Sequence, residues 1–496
     1  MKRYFILFLL IIFTIPVESA PCREVVGYYA GWKWYKRNKL VNPRTIDYSR
    51  YTIINYAFFK PLSNGEVIEG DPWADKNILL GNSFLKNGVE TFDTSGSLVT
   101  QAHLNGVKVV GSIGGWTWSS VFPGIAADGI KRRKFAESCV ALIKKYDLDG
   151  IDIDWEYPGF KNHKGTSNDK VNFTLLLTEI RKALNEYGDV HGKKLLLTAA
   201  FGPAPNHMAQ IEWDKVAELL DIIHVMTYNY YGSWDRVTNH NTPLYAPAYG
   251  SKEFNVNSSI MRLVDLYHVD PAKITLGVAF YGRSVLMNEV PSLHGTSTGQ
   301  PDKFTFAEEN GTPSFYNIEA KFSSFNPHRD MQSGVPYLTG KDGINSFVSF
   351  DDATSIGLKA DYAVEKNLRG VVIWDISGDY LETAPGSRLL AGNPLCDAIQ
   401  NSFCSKLISN VNTVIPCEIG LLAYPNPFRN EFVISWNRDC IVHEVIVTNA
   451  SGSVLHRSDK AFESIMKINT EKWPSGIYII RLSTSSGEES EKIVKL

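Results

Sequence analysis

Eight short apolar runs, each followed by a helical pattern, restrict the fold of this chain more than any other feature. They cover residues 24–29, 51–59, 107–111, 150–156, 195–201, 222–228, 274–281 and 370–374. Several are almost continuously apolar, which suits parallel strands covered on both faces. Between them run amphipathic stretches, such as the one that sets Phe173, Leu176, Leu177, Ile180 and Leu184 at helical spacing. Eight alternations of strand and helix predict an α/β fold closed into a (β/α)8 TIM barrel. A doubly wound sheet is the alternative. It needs a glycine-rich phosphate turn after its first strand, and Ala30-Gly31-Trp32 does not supply one.

One connection is too long for a plain loop. The stretch at about residues 284–346, rich in Gly, Pro, Ser and aromatic residues, predicts an α+β insertion before the last strand. The barrel is expected over 21–396, a linker over 397–420, and a small all-β sandwich over 421–496. In that sandwich Tyr424-Pro425-Asn426-Pro427-Phe428 opens the alternating runs, and Trp436 and Trp473 read as core. Pattern alone leaves it as either a carbohydrate-binding module or a passive stability domain. Residues 1–20 read as a signal peptide: Lys2 and Arg3, then an apolar run too short to span a bilayer, then the small residues Ser19 and Ala20. The chain is therefore expected to be secreted.

Six cysteines follow from export without fixing a pattern. Cys396 with Cys404, or Cys417 with Cys440, are the pairings that spacing allows. Cys139 shares an apolar helix face with Phe135, Leu142, Ile143 and Tyr146 and reads as a buried thiol. No Cys/His spacing predicts a metal, and no cofactor is expected. A net charge of -3 without any basic stripe argues against nucleic acid as a partner. The 11 Trp and 23 Tyr instead offer flat, rigid apolar faces of the kind that grip sugar rings.

The chemistry concentrates in Asp149-Gly150-Ile151-Asp152-Ile153-Asp154-Trp155-Glu156. On a strand, Asp152, Asp154 and Glu156 share one face, while Ile151, Ile153 and Trp155 enter an apolar layer on the other. Like charges at that spacing cannot all ionise, so one carboxyl is expected to keep its proton near neutral pH, as a general acid does. Glu156 is the most C-terminal of the three, nearest the face where barrels do their chemistry. Asp149 reads as a residue that shapes the start of the strand.

Asp149-x-x-Asp152-x-Asp154-x-Glu156 resembles the signature of glycoside hydrolase family 18, the chitinase family. Ser112-Ile113-Gly114-Gly115-Trp116 resembles the family's third-strand motif, Met226-Thr227-Tyr228 its sixth-strand motif, Tyr281-Gly282-Arg283 its seventh-strand end and Trp374 its barrel-floor tryptophan. The C-terminal region is similar to the sorting domains of the type IX secretion system, on YPNPF, then SGIYI, then a basic-apolar end. The resemblance implies a retaining enzyme that cuts β-1,4-linked N-acetylglucosamine without a protein nucleophile. By that likeness Glu156 is the acid and base, Asp154 orients the substrate acetamide, Asp152 shares a proton with Asp154, and Tyr228 donates to the acetamide oxygen. Tyr28, Phe58, Gly115, Trp116, Met226, Asn229, Tyr281, Arg283 and Trp374 are the expected substrate-binding residues, and Trp32, Trp34, Trp118 and Trp234 are either stacking platforms or loop packing. The implied partners are chitin or chitooligosaccharides and the outer-membrane type IX machinery, the protein being a monomer, extracellular or held at the cell surface. An endo-β-N-acetylglucosaminidase acting on glycoprotein glycans and a chitin-binding lectin are the rival readings.

One position departs from the pattern. Where many relatives carry Asp after the sixth-strand tyrosine, this chain has Asn229. Losing that charge is expected to lower the pKa of Glu156 relative to Asp-bearing relatives.

Overall fold

The computed structural model describes residues 23–408, 421–436, 442–458, 465–484 and 487–496. The expected signal peptide and the Cys417–Cys440 pairing lie outside the described residues. The chain divides into two compact units, Met1–Cys404 and Ser405–Leu496.

The first unit is the expected barrel. Its strands are β1 (Glu24–Ala30), β2 (Ile53–Pro61), β3 (Lys108–Gly114), β4 (Gly150–Asp154), β5 (Leu196–Phe201), β6 (Ile222–Val225), β7 (Ile274–Ala279) and β8 (Gly370–Trp374). Each pairs in parallel with its neighbours, and β1 pairs with both β2 and β8, which closes the ring. Helices form the outer layer. Helix Gly129–Tyr146 starts where the Asp128 side chain accepts from the amides of Ile130 and Lys131, and it buries the predicted face including Cys139. Helix Asp169–His191 buries Phe173, Leu176, Leu177, Ile180 and Leu184, and stops at left-handed Gly192. On β4 the outward Ile151 and Ile153, with Trp155 beyond the strand, are almost fully buried. Each side chain contributes roughly 1.5–3 kcal/mol by its burial, which fixes the register that turns the carboxylates inward.

Between β7 and β8 stands the insertion. An antiparallel sheet takes Arg283–Leu286, Ser346–Ser349, Val335–Gly340 and Phe325–Asp330 in that spatial order, accompanied by helix Phe315–Ala320. After β8, helix Pro394–Ile408 occupies the first part of the stretch expected to be linker. Leu395, Cys396, Ile399 and Phe403 pack in the barrel's core, which is why the ordered unit runs past residue 396. Cys396 and Cys404 are not joined to each other: Cys396 Sγ lies 3.5 Å from the Tyr51 hydroxyl, and Cys404 donates to Gln400 Oε1.

From Leu421 onward the described residues of the second unit form strands and turns alone. A three-stranded sheet (Leu422–Tyr424, Glu431–Ser435, Ile465–Asn469) and a four-stranded one (Val454–Ser458, Val442–Asn449, Gly476–Thr484, Gly487–Lys495) share one apolar core. Trp436 is buried there and Trp473 packs against it. Lys495 is also buried, its ammonium donating to the carbonyls of Thr470 and Trp473 at 2.5 and 2.8 Å.

Candidate active site

The inner face of β4 sets three carboxylates at increasing height in the barrel. Asp152 is lowest and fully buried. Its Oδ2 accepts from Tyr28 Oη at 2.7 Å and Ser112 Oγ at 2.6 Å, and its Oδ1 accepts from Thr198 Oγ1 at 2.7 Å. His224 Nε2 stands 3.9 Å from Oδ1, and burial pushes that imidazole down to about 4, so it faces Asp152 as a neutral ring. Asp152 is thus fully partnered by neutral groups.

Asp154 is not. It is 3 % exposed, and its Oδ1 has no hydrogen-bond partner. Burial, reinforced by Glu156 and Asp152, holds its pKa well above the usual carboxylate range. Glu156 lies above it where the chain leaves β4. Burial pushes its pKa up to about 7, against the opposing hydrogen bonds from the Tyr157 hydroxyl and the Trp116 amide. The backbone here is held tightly: Glu156 N–H donates to Ser119 Oγ at 2.7 Å, and His163 Nδ1 lies 2.5 Å from the Glu156 carbonyl. A carboxyl with its pKa raised to about 7 therefore stands beside a buried carboxyl oxygen that lacks a donor.

Above these groups opens a groove of about 1780 Å³. That exceeds the roughly 300–1,000 Å³ of a small-molecule pocket and suits an extended ligand. Glu156, Asp154, Tyr228, Phe58, Trp116, Met226, Asn229, Tyr281, Arg283 and Trp374 all line it. Tyr28 lies beneath the floor, where it serves Asp152. Gly115 sits behind Phe58, and at φ 75° a Cβ there would fall 2.5 Å from the Phe58 ring. The floor is aromatic: Trp374 stacks on Phe58 at 5.7 Å, Trp32 stacks on Phe58 at 5.9 Å, and Tyr28 touches Trp374 at 5.3 Å. Trp32, Trp118 and Trp234 face the groove, whereas Trp34 is buried with Lys39 over its ring at 3.6 Å.

Asn229 ties the far wall together. Its Oδ1 accepts from Tyr281 Oη at 2.7 Å and from Arg283 Nη2 and Nε at 2.7 and 3.0 Å, while Arg283 lies over the Trp234 ring. The insertion contributes Glu309, Ser314 and Tyr316 to the groove, and Lys33 joins it to β8 by pairing with Asp375 at 2.8 Å and donating to Ser314 Oγ at 3.2 Å. Sequence reasoning missed Lys33, Tyr157, Phe160 and His207 on the groove wall. Tyr157 adjoins Glu156 in the chain and was within reach of that reasoning; Lys33 and His207 sit in short helical turns and Phe160 in a loop, all without periodicity. At the opposite end of β4, Asp149 accepts from Val109 N–H at 2.7 Å and lies 2.8 Å from His103 Nε2, a structural clasp far from the groove.

The chain matches two family models and several known proteins. The family model described as glycosyl hydrolases family 18 matches residues 24–379, and that of the secretion system C-terminal sorting domain matches residues 422–496. Chitinase A1 of Niallia circulans is 32% identical over 465 residues, covering 85% of this chain and 64% of its own length. Probable chitinase 2 of Drosophila melanogaster is 31% identical, covering 74% of each chain. Among solved structures, a chitinase from Bacillus thuringiensis superposes with a TM-score of 0.67 at 26% identity, covering 96% of this chain and 85% of its own.

Proposed function

The chain belongs to glycosyl hydrolase family 18, and from that premise we propose that it is an exported chitinase that cleaves β-1,4-linked N-acetylglucosamine with retention of configuration. The enzyme is a glycoside hydrolase, and its C-terminal unit is a sorting domain that directs it to type IX secretion. The observation that carries the finer reading is the placement of Glu156, whose pKa burial pushes up to about 7, above the unpartnered Oδ1 of Asp154.

Catalysis is derived from those two groups. A sugar bound over Trp374 places its glycosidic oxygen at Glu156 and its acetamide between Asp154 and Tyr228. Glu156 gives its proton to the leaving oxygen as the acetamide carbonyl attacks C1, so that the bond to the leaving sugar breaks and a cyclic oxazolinium ion forms. Asp154 Oδ1 accepts the acetamide N–H and, as the cation develops, shifts its proton toward Asp152, which leaves negative charge facing the ion. The Tyr228 hydroxyl donates to the acetamide oxygen and orients it for attack. Glu156 then takes a proton from water, which adds to C1 from the face the leaving group vacated, and the anomeric configuration is retained. The raised wall of the insertion favours a linear polymer over branched protein glycans. An intact, correctly poised Glu156 favours an enzyme over a lectin.

The test is incubation with chitin hexamer beside Glu156→Gln, following products by mass and by anomeric form. The expected products are short oligomers released as β-anomers by the wild type alone. Hexamer bound but uncleaved by the wild type would overturn the reading in favour of a lectin.

A further inference from the structure

Behind the catalytic strand lies a small cavity of about 10 Å³, lined by Trp155, Tyr157, Phe173, Phe201, His207 and Trp213 among others. That is about the room one water requires. Most of its wall is apolar, yet two buried polar atoms on these residues have no protein partner: Trp155 Nε1 and His207 Nδ1. The Trp213 indole is already satisfied, donating to the Met208 carbonyl at 2.8 Å. An indole N–H only donates, and an imidazole nitrogen can accept, so a single water held between them would answer both. A buried orphan costs roughly 1–3 kcal/mol, which makes such a bridge favourable.

His207 is held in a fixed pose. Its ring stacks on Tyr157 at 4.0 Å and 18°, meets the edge of Phe160 at 6.5 Å, and abuts Gly202, where a Cβ would fall 2.4 Å from Nδ1. Tyr157 in turn donates its hydroxyl to Glu156. The same His207 ring lines the main groove. It follows β5, next to β4 and away from β8, so it stands on the flank of Glu156 remote from the Trp374 floor.

We propose that a buried water accepts from Trp155 Nε1–H and donates to His207 Nδ1, locking His207 as the Nε2–H tautomer, so that Nε2–H donates to an oxygen of the N-acetylglucosamine unit on the leaving-group side. His207 is then a specificity residue for the sugar that departs when Glu156 gives up its proton. Burial pushes the imidazole down to about 4, which keeps it a single neutral donor through the working pH range. The inference rests on the chitinase reading above.

The experiment compares wild type and His207→Phe, which keeps the stack on Tyr157 and removes the donor, on two substrates. One is chitin hexamer; the other is an umbelliferyl chitobioside, whose leaving group is no sugar. The expected result is a loss of about fivefold in kcat/KM on hexamer, carried by KM, with no loss on the umbelliferyl substrate. Equal losses on both, or none on hexamer, would overturn the proposal, since His207 would then act on Tyr157 alone or not at all. A wild type inert on both removes the chitinase reading and the inference with it, an outcome unlike either. Should His207→Phe fail to fold, nitrogen-15 spectra of histidine-labelled wild type decide: a proton on His207 Nε2 supports the proposal, and one on Nδ1 overturns it.

Discussion

Two buried carboxylate clusters in the barrel unit follow opposite rules. Asp351 and Lys359 are both fully buried, and the ammonium reaches both Asp351 oxygens at 2.6 Å and Thr242 Oγ1 at 2.9 Å, while Ser355 Oγ donates to Asp351 at 2.7 Å. Burial pushes Asp351 up and Lys359 down, and their mutual attraction opposes both shifts. On β4, Asp154 is nearly as buried and has Glu156 and Asp152 as neighbours instead of a cation. The first cluster has each carboxyl oxygen partnered and ties the helix Ala353–Glu365 to the loop holding Thr242. The second leaves an oxygen unmet and two protons displaced from their ordinary pKa. Burial is common to both; in the reading proposed above, the missing partner on Asp154 is what a substrate would supply.

The contrast breaks most sharply at Glu156. Glu156→Gln is expected to lower kcat by about 10³-fold or more while the protein stays folded. It should also gain stability at alkaline pH. A group whose folded pKa is raised from 4.5 to about 7 contributes fully below 4.5 and loses that contribution as pH rises to 7. Above that the amide is favoured by about 3 kcal/mol, which chemical denaturation at pH 8 reads directly. A variant both inactive and less stable would mean that Glu156 is structural like Asp351.

Lys359→Met tests the other side. Removing the cation leaves Asp351 buried and uncompensated, at a cost of about 3–5 kcal/mol in denaturant unfolding. The surviving folded enzyme should keep its pH profile, since nothing in that cluster touches the groove. A shifted profile at unchanged stability would erase the distinction between the clusters. Between these extremes, Asp154→Asn should lower kcat about 100-fold with KM for hexamer nearly constant, because the lost interaction strengthens only as the cation forms.

How much of this was written in the sequence follows the same division. The eight strands and the outward Ile151, Ile153 and Trp155 were legible because a parallel strand needs both faces covered, and that leaves a periodic apolar record. The three carboxylates were legible because period two places them on one face. His224, Thr198 and Thr275, which surround or support Asp152 from neighbouring strands, left no such record, since ring closure rather than local pattern brings them together. Lys33 and His207 are single residues on short helical turns between the repeats, and only the fold shows that they face the groove. Helix Pro394–Ile408 was read as the start of a linker because its charged and amide residues obscured the buried Leu395, Ile399 and Phe403.

The smallest effect is the most informative about tuning. Asn229 replaces a carboxylate with an amide, and its Oδ1 takes two hydrogen bonds from Arg283 and one from Tyr281. Asn229→Asp adds a negative charge one hydroxyl away from a tyrosine whose pKa already responds to Glu156. The direct effect is to disfavour the Glu156 anion, so the basic limb of kcat/KM, expected near pH 7, should move up. The Arg283 guanidinium, however, already donates to that oxygen and would pair with the new charge, which limits the rise to less than about one pH unit at moderate salt. The double variant Asn229→Asp, Arg283→Met removes that compensation and should show the larger shift. A basic limb that stays put or falls in both variants would place the control of Glu156 in its burial alone, and the neutral residue at 229 would then serve to hold Tyr281 and Arg283 in the wall.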